Sequence, residues 1–209
     1  MIYTIMEHKT LIIFDWDDTL FPTSWLVQNN INLSDEQTRN KYIILFTRLD
    51  TLINQLLIIA MKHGKVIIVT NAVNKWIELS LNMLPNTKKL IHNNIDVISA
   101  RELYQEKHPD QMGLWKRLVF QNYVNDHFKT HPLQNIISIG DAEHEFNALI
   151  ELYNAHSVVK KRILKTVRFI KDPTFESLLD QLNVFKNCLV QIIRSKKHMD
   201  LVFKPSTSQ

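Results

Sequence analysis

Five short runs rich in isoleucine and valine punctuate the chain, with helix-like segments between them. They are residues 10–16 (TLIIFDW), 65–70 (KVIIVT), 95–100 (IDVISA), 135–140 (NIISIG) and 165–170 (KTVRFI). A strand with one face in water alternates apolar and polar residues, whereas a strand covered on both faces does not. Most of these runs are nearly continuous, so the pattern predicts a parallel sheet with helices on both sides, an α/β architecture. The longest intervening helix is expected to begin near Ser34. Ser34 stands at a capping position, Gln37 completes a capping-box spacing, and Asp35 and Glu36 suit the positive helix end. Leu45, Leu49, Leu52, Ile53 and Leu56 recur on one helical face, and Gly64 is a natural stop. Shorter helices are expected near 73–83, 113–124, 143–153 and 174–194.

The chain has 209 residues, 45% of them hydrophobic, which suits one domain over 1–197 with a loose tail over 198–209. A single cysteine, Cys188, excludes an internal disulfide and a multi-cysteine metal site. Its place on an apolar helix reads as core. No uninterrupted apolar run approaches the roughly 18 residues that cross a bilayer. The best candidate, 52–61, is broken by Asn54 and Gln55. Glu7, His8 and Lys9 stand where a signal peptide would be apolar. The expectation is a soluble intracellular protein, most simply cytoplasmic. A formal charge of +4 does not demand nucleic acid.

The chemistry concentrates in 11-LIIFDWDDTLFPTSW-25. Asp15, Asp17 and Asp18 follow a buried strand with no Lys or Arg nearby. Three acids so close repel one another, and a hard divalent cation such as Mg2+ is the simplest offset. The bland alternative is that they merely open a turn. Three further segments point to the same sheet edge, where open α/β sheets bind ligands. Thr70-Asn71 ends the second run just before a helix, a seat for phosphate or simply a helix cap. Gly140-Asp141, with Glu143 and Glu145 behind, brings a second group of acids. Lys107 or Lys116 can supply a balancing cation, although a solitary lysine is usually solvated surface.

Taken in order, Asp15-x-Asp17-x-Thr19-Leu20, Thr70, Lys116 and Gly140-Asp141-x-x-x-Glu145 resemble the haloacid-dehalogenase-like (HAD) phosphohydrolase superfamily, over residues 10 to 170. The segments FDWDDTLFPTSWL, TNAVNKWIELS, VISARELY, WKRLVF and KTVRFIKDP are similar to a little-described group of HAD-like proteins of eukaryotic microbes. The resemblance implies a three-layer α/β/α sandwich, a Rossmannoid core with a five-stranded sheet in the order 5-4-1-2-3. It implies Asp15 as the nucleophile that forms an aspartyl-phosphate and Asp17 as general acid and base. Mg2+ would be held by Asp15, Asp141 and the Asp17 backbone carbonyl, with Glu145 acting directly or through water. Thr70 and the Asn71 backbone would bind phosphoryl oxygens, and Lys116 would pair with Asp15 and phosphate. Glu145 stands where Asp is commoner in the family, Glu143 competes with it, and Lys107 and Arg117 compete with Lys116. Asp18 receives no role. The second acid, Asp17, favours phosphoryl chemistry over dehalogenation, because halide leaves without a proton.

Only 53 residues separate Asp17 from Thr70, and 46 separate Thr70 from Lys116, too few for a large inserted cap. The expectation is a phosphatase with a minimal cap and an open site, suited to a bulky or macromolecular phosphate. Phe21, Trp25 and Trp76 lie near the mouth in sequence and either stack on a substrate or, more simply, fill the core. Basic residues gather at Lys160, Lys161, Arg162, Lys165 and Arg168, and at Arg194, Lys196 and Lys197. They make a nucleic-acid end phosphatase the rival if they share a face with Asp15. A non-catalytic phosphate- or partner-binding module is the other rival, and a phosphotransferase would use the same residues. His108, His127 and His144 show no metal-ligand spacing.

Overall fold

The computed structural model describes residues 9–128, 133–155 and 162–204. In chain order the elements are β1 (Thr10–Phe14), α1 (Thr23–Gln28), α2 (Glu36–His63), β2 (Lys65–Thr70), α3 (Asn74–Leu81), α4 (Pro85–Asn94), β3 (Asp96–Ser99), α5 (Ala100–Tyr104), α6 (Met112–His127), β4 (Asn135–Gly140), α7 (Glu143–Ala155), β5 (Ile163–Arg168), α8 (Phe175–Arg194) and β6 (Met199–Val202). The strands form one sheet in the order β3-β2-β1-β4-β5-β6, and every neighbouring pair is parallel.

The continuous apolar runs follow from this layering. Ile12, Phe14, Val66, Ile68, Ile137 and Ile139 face a core completed by α2 and α8. Their strand neighbours Leu11, Ile13, Ile67, Val69 and Ile136 face a second core completed by α6 and α7. Both faces are covered, so neither can be polar. On α8, Leu178, Leu182, Phe185 and Leu189 are almost fully buried. Each such side chain contributes roughly 1.5–3 kcal/mol of burial free energy. The chain leaves α2 through Gly64, where a Cβ would stand 2.6 Å from the Thr10 carbonyl oxygen. The close approach of α2 to β1 therefore needs glycine there.

A buried acid joins two helices. Asp50, 1% exposed in the middle of α2, accepts from the backbone N–H of Asn86 (3.0 Å) and of Thr87 (2.8 Å) and from Asn86 Nδ2 (2.8 Å). These are first-turn donors of α4, whose own N-cap residue, Leu84, supplies no side-chain bond. Asp50 thus caps another helix, satisfying donors that would otherwise be orphaned. Replacing Asp50 with Ala is expected to cost about 3 kcal/mol, because charged hydrogen bonds are lost and buried donors stranded. In a chain of this size the melting temperature should fall by roughly 10 °C, read by circular dichroism. A change under about 2 °C would show the cap to be dispensable.

Several sequence expectations need correcting. Among the described residues the sheet has six strands, not five, and its order differs from the expected one by β6, which lies outside β5. The expected loose tail over 198–209 instead begins with structure. Leu164 N–H donates to His198 Nδ1, Phe203 N–H donates to the Arg168 carbonyl, and Met199–Val202 pairs with β5. Residues 205–209 lie outside the described ones. The long helix is capped by Asp35, which accepts from Thr38 N–H, and not by Ser34. The fifth strand starts two residues earlier than expected. Helices α1, α4 and α5 carry no periodic apolar pattern that would announce them. Cys188 is exposed, because it falls beside the buried Leu189 on the outer side of α8. Finally, α2 is long and apolar enough to cross a membrane by length and composition alone. Asn54 and Gln55 interrupt its apolar run without lowering its average much. Here it lies on the sheet, with Phe46, Leu49, Ile53, Leu56, Leu57 and Ala60 buried.

Candidate active site

Strand register gathers the acids. Phe14 pairs with Ile139, so Asp15, one residue on, emerges beside Gly140 and Asp141. The ladder extends one step further, with Asp15 N–H donating to the Ile139 carbonyl at 2.9 Å. On the other side Phe14 pairs with Ile68, which places Thr70 at the level of the turn after β1. That turn is tight. The N–H groups of Leu20 and Phe21 both donate to the Trp16 carbonyl (2.9 Å each), and Asp18 N–H donates to the Phe21 carbonyl (2.7 Å). Asp18 takes a left-handed conformation, φ 54°, which aspartate tolerates better than most residues. Its carboxylate accepts from the N–H and hydroxyl of Ser24, so it serves the turn.

Asp15, Asp141 and Glu145 each offer a carboxylate oxygen, and these lie within 4.8 Å of one another. Lys116, on the first turns of α6, stands against two of them. Its Nζ is 2.7 Å from Asp15 Oδ1 and also pairs with Glu145 Oε1. All three partners are nearly sealed from solvent, at 2% (Lys116), 6% (Asp15) and 4% (Glu145) exposure. Asp15 Oδ1 has the Lys116 ammonium as its immediate partner. A carboxylate oxygen carries two lone pairs, so this one contact leaves room for a further cation. Glu145 folds back over the end of β4, where Ala142 N–H donates to its Oε2 at 3.2 Å. A Cβ at Gly140 would overlap this side chain, so the glycine makes room for the acid.

Burial pushes the Asp15 carboxyl well above the usual carboxylate range, against the pull of Lys116 and with Glu145, Asp141 and Asp17 adding to the rise. Burial, then Glu145 and Asp18, push Asp141 up to about 7. Burial opposes the Lys116 ammonium, but Asp15 and Glu145 outweigh it and hold it above the ordinary lysine value. One lysine among several acids leaves negative charge uncompensated, the electrostatic setting in which a hard cation binds through oxygen.

No family model, curated protein or solved structure matches this chain.

The side chains named from sequence separate into two groups. Asp15, Asp141, Glu145 and Lys116 meet. Asp17 does not join the three-carboxylate cluster through its side chain. Its carboxylate accepts from Trp76 Nε1 (2.8 Å), from the Thr23 hydroxyl and from Thr70 Oγ1 (3.3 Å). Thr70 Oγ1 in turn accepts from Ala72 N–H at 2.9 Å. Asn71 donates from Nδ2 to the Met112 carbonyl, tying the end of β2 to the start of α6. Among the competitors, Lys107 is exposed, Arg117 pairs with Glu151, and Glu143 is exposed and faces Arg168 at 3.6 Å.

Sequence reasoning misses the ring of donors around Asp17. Thr23 and Trp76 lie in two of the segments that carry the resemblance, but nothing in their spacing tells that both reach one carboxylate. Phe21 fills the core, stacked on Trp16 and Phe46, and Trp25 packs on Tyr42 and Phe175.

The described basic residues divide between the two ends of the strands. Arg194 ends α8, and the carbonyls of Ile193 and Ser195 accept from Lys165 Nζ, which also donates to Asn135 at the start of β4. Arg194, Lys196 and Lys197 thus lie at the opposite sheet edge from Asp15. Arg162 and Lys165 are buried, while Arg168 stands in register with Gly140, at the Asp15 end of the sheet, and pairs with Asp200. Lys160 and Lys161 lie outside the described residues.

Proposed function

We propose that this protein is a Mg2+-dependent phosphatase of the HAD-like type, hydrolysing phosphomonoesters through an aspartyl-phosphate on Asp15. The observation that carries the reading is the convergence of Asp15, Asp141 and Glu145 oxygens within 4.8 Å, with Lys116 against them. The all-carboxylate donor set fits a small hard cation. Bound there, Mg2+ would neutralise charge and orient a phosphoryl group.

The remaining work falls to the chain. An Asp15 oxygen attacks phosphorus, the bond to the leaving oxygen breaks, and Asp17 gives that oxygen its proton, releasing an alcohol. Water then attacks the same phosphorus, passes a proton to Asp17, and the Asp15–phosphorus bond breaks to free phosphate. Lys116 offsets the charge of Asp15 as the anionic phosphate approaches, and Thr70 turns its hydroxyl from Asp17 to the phosphoryl oxygens. The described elements between Asp17 and Thr70 are α1, α2 and β2, and those between Thr70 and Lys116 are α3, α4, β3, α5 and the start of α6. This inventory supports a minimal cap and an open site. The placement of Arg194, Lys196 and Lys197 at the far edge does not favour nucleic acid as substrate.

The test is release of nitrophenol from p-nitrophenyl phosphate in a soluble preparation. Hydrolysis should require Mg2+ and cease on chelation. Independently of turnover, Mg2+ at about a hundred times its dissociation constant should add about 2.7 kcal/mol of stability, visible as a higher melting temperature. Hydrolysis indifferent to chelation, or none at all, would overturn the reading.

A further inference from the structure

Trp76 is the aromatic residue near the site whose contacts core packing does not explain. It is half-buried on α3, and its ring stands edge-on to Phe21 with centroids 6.0 Å apart. Phe21 is itself sealed within the stack of Trp16 and Phe46. Packing alone would be met by phenylalanine. The indole N–H instead donates to Asp17 Oδ1 at 2.8 Å, across 59 residues of chain. The Thr23 hydroxyl donates to the same oxygen, and Thr70 to the other.

We propose that Trp76 is a positioning residue for Asp17, holding its carboxylate where it can protonate a leaving oxygen. The inference rests on the phosphatase reading. A carboxylate two residues along a turn has free rotation about two bonds, and proton transfer demands hydrogen-bond reach to a defined oxygen. Restricting that rotation supplies orientation before the substrate arrives. An indole suits the task because it donates only, is neutral, and sits on a rigid ring whose far side is wedged in the core. A lysine or arginine in its place would add a charge beside the entering phosphate. The chain thus couples the second strand's helix to the acid that follows the first strand, through one hydrogen bond.

The consequence is selective. A leaving group that departs readily as an anion needs little help from an acid, whereas an alkoxide needs its proton. First-turnover alcohol release, with Mg2+ present, should therefore be compared for p-nitrophenyl phosphate and for glycerol phosphate. In Trp76→Phe, release from glycerol phosphate should fall about 30-fold or more, release from p-nitrophenyl phosphate should stay within about threefold, and KM should hold for both. Trp76→His should recover most of the loss, because imidazole Nε2 occupies the same ring position as indole Nε1 and can donate. Thr23→Val removes the other donor to that oxygen while leaving the ring stack alone. It should show the same dependence on leaving group, which keeps the inference testable even where the Phe variant does not fold. Equal losses on both esters in these variants, or no loss on glycerol phosphate, would overturn the inference while leaving the phosphatase reading intact. A wild-type protein that releases alcohol from neither ester would overturn that reading and this inference with it.

Discussion

Replacing Lys116 with Met should be among the most damaging single changes to the fold. Its ammonium stands 2.7 Å from Asp15 and pairs with Glu145, and all three residues are buried. Methionine keeps most of the volume but removes the cation, leaving buried acids to repel one another. Breaking a buried ion pair by deleting one partner typically costs about 3–5 kcal/mol. In a protein of this length that is roughly a 10 °C loss in melting temperature. The acids that remain are the proposed ligands, so Mg2+ should recover part of the loss. The rise in melting temperature on adding Mg2+ should be larger in the variant than in wild type. Calorimetry on both proteins, with and without Mg2+, provides the check. An unchanged melting temperature would mean that Lys116 does not balance the cluster.

The parts of this architecture that are readable from sequence are those set by local rules. Ile/Val runs covered on both faces have to be strands, and the amphipathic spacing of Leu45, Leu49, Ile53 and Leu56 has to be a helix. Once the strands are known, their carboxyl ends are the natural place for Asp15, Thr70 and Asp141 to meet, because β1 lies between β2 and β4. What escapes depends on distant partners. In α4, PNTKKLIHNN has few apolar residues and no cap of its own, and the donor-satisfying group is Asp50, 36 residues upstream. The strand β6 is half exposed and carries no continuous apolar run, so MDLV reads like tail. The donors to Asp17 come from three elements or loops, and no spacing rule joins Thr23, Thr70 and Trp76. Cys188 shows the limit of composition, since an apolar helix still has an outer face.

Asp15→Asn should separate chemistry from folding. Asparagine is nearly isosteric but a poor nucleophile, and loss of a nucleophile costs orders of magnitude in rate. Hydrolysis of p-nitrophenyl phosphate should fall at least about a thousandfold. Stability should not fall with it. On Asp15 the cost of burial, with repulsion from Glu145, Asp141 and Asp17, outweighs the attraction of Lys116, and Lys116 keeps Glu145 as a partner when Asp15 is neutralised, so the melting temperature should stay equal or rise. A non-catalytic binding module would show no such divergence.

The most direct measurement is chemical trapping of the covalent species. Wild-type protein turning over a phosphomonoester with Mg2+ is quenched with borohydride, which reduces an aspartyl-phosphate to homoserine, and its peptides are sequenced by mass spectrometry. Homoserine at position 15, absent from Asp15→Asn and from samples without Mg2+, is the expected result. Active protein that yields no homoserine, or yields it at another aspartate, would contradict the assignment of Asp15 as the group that takes the phosphoryl.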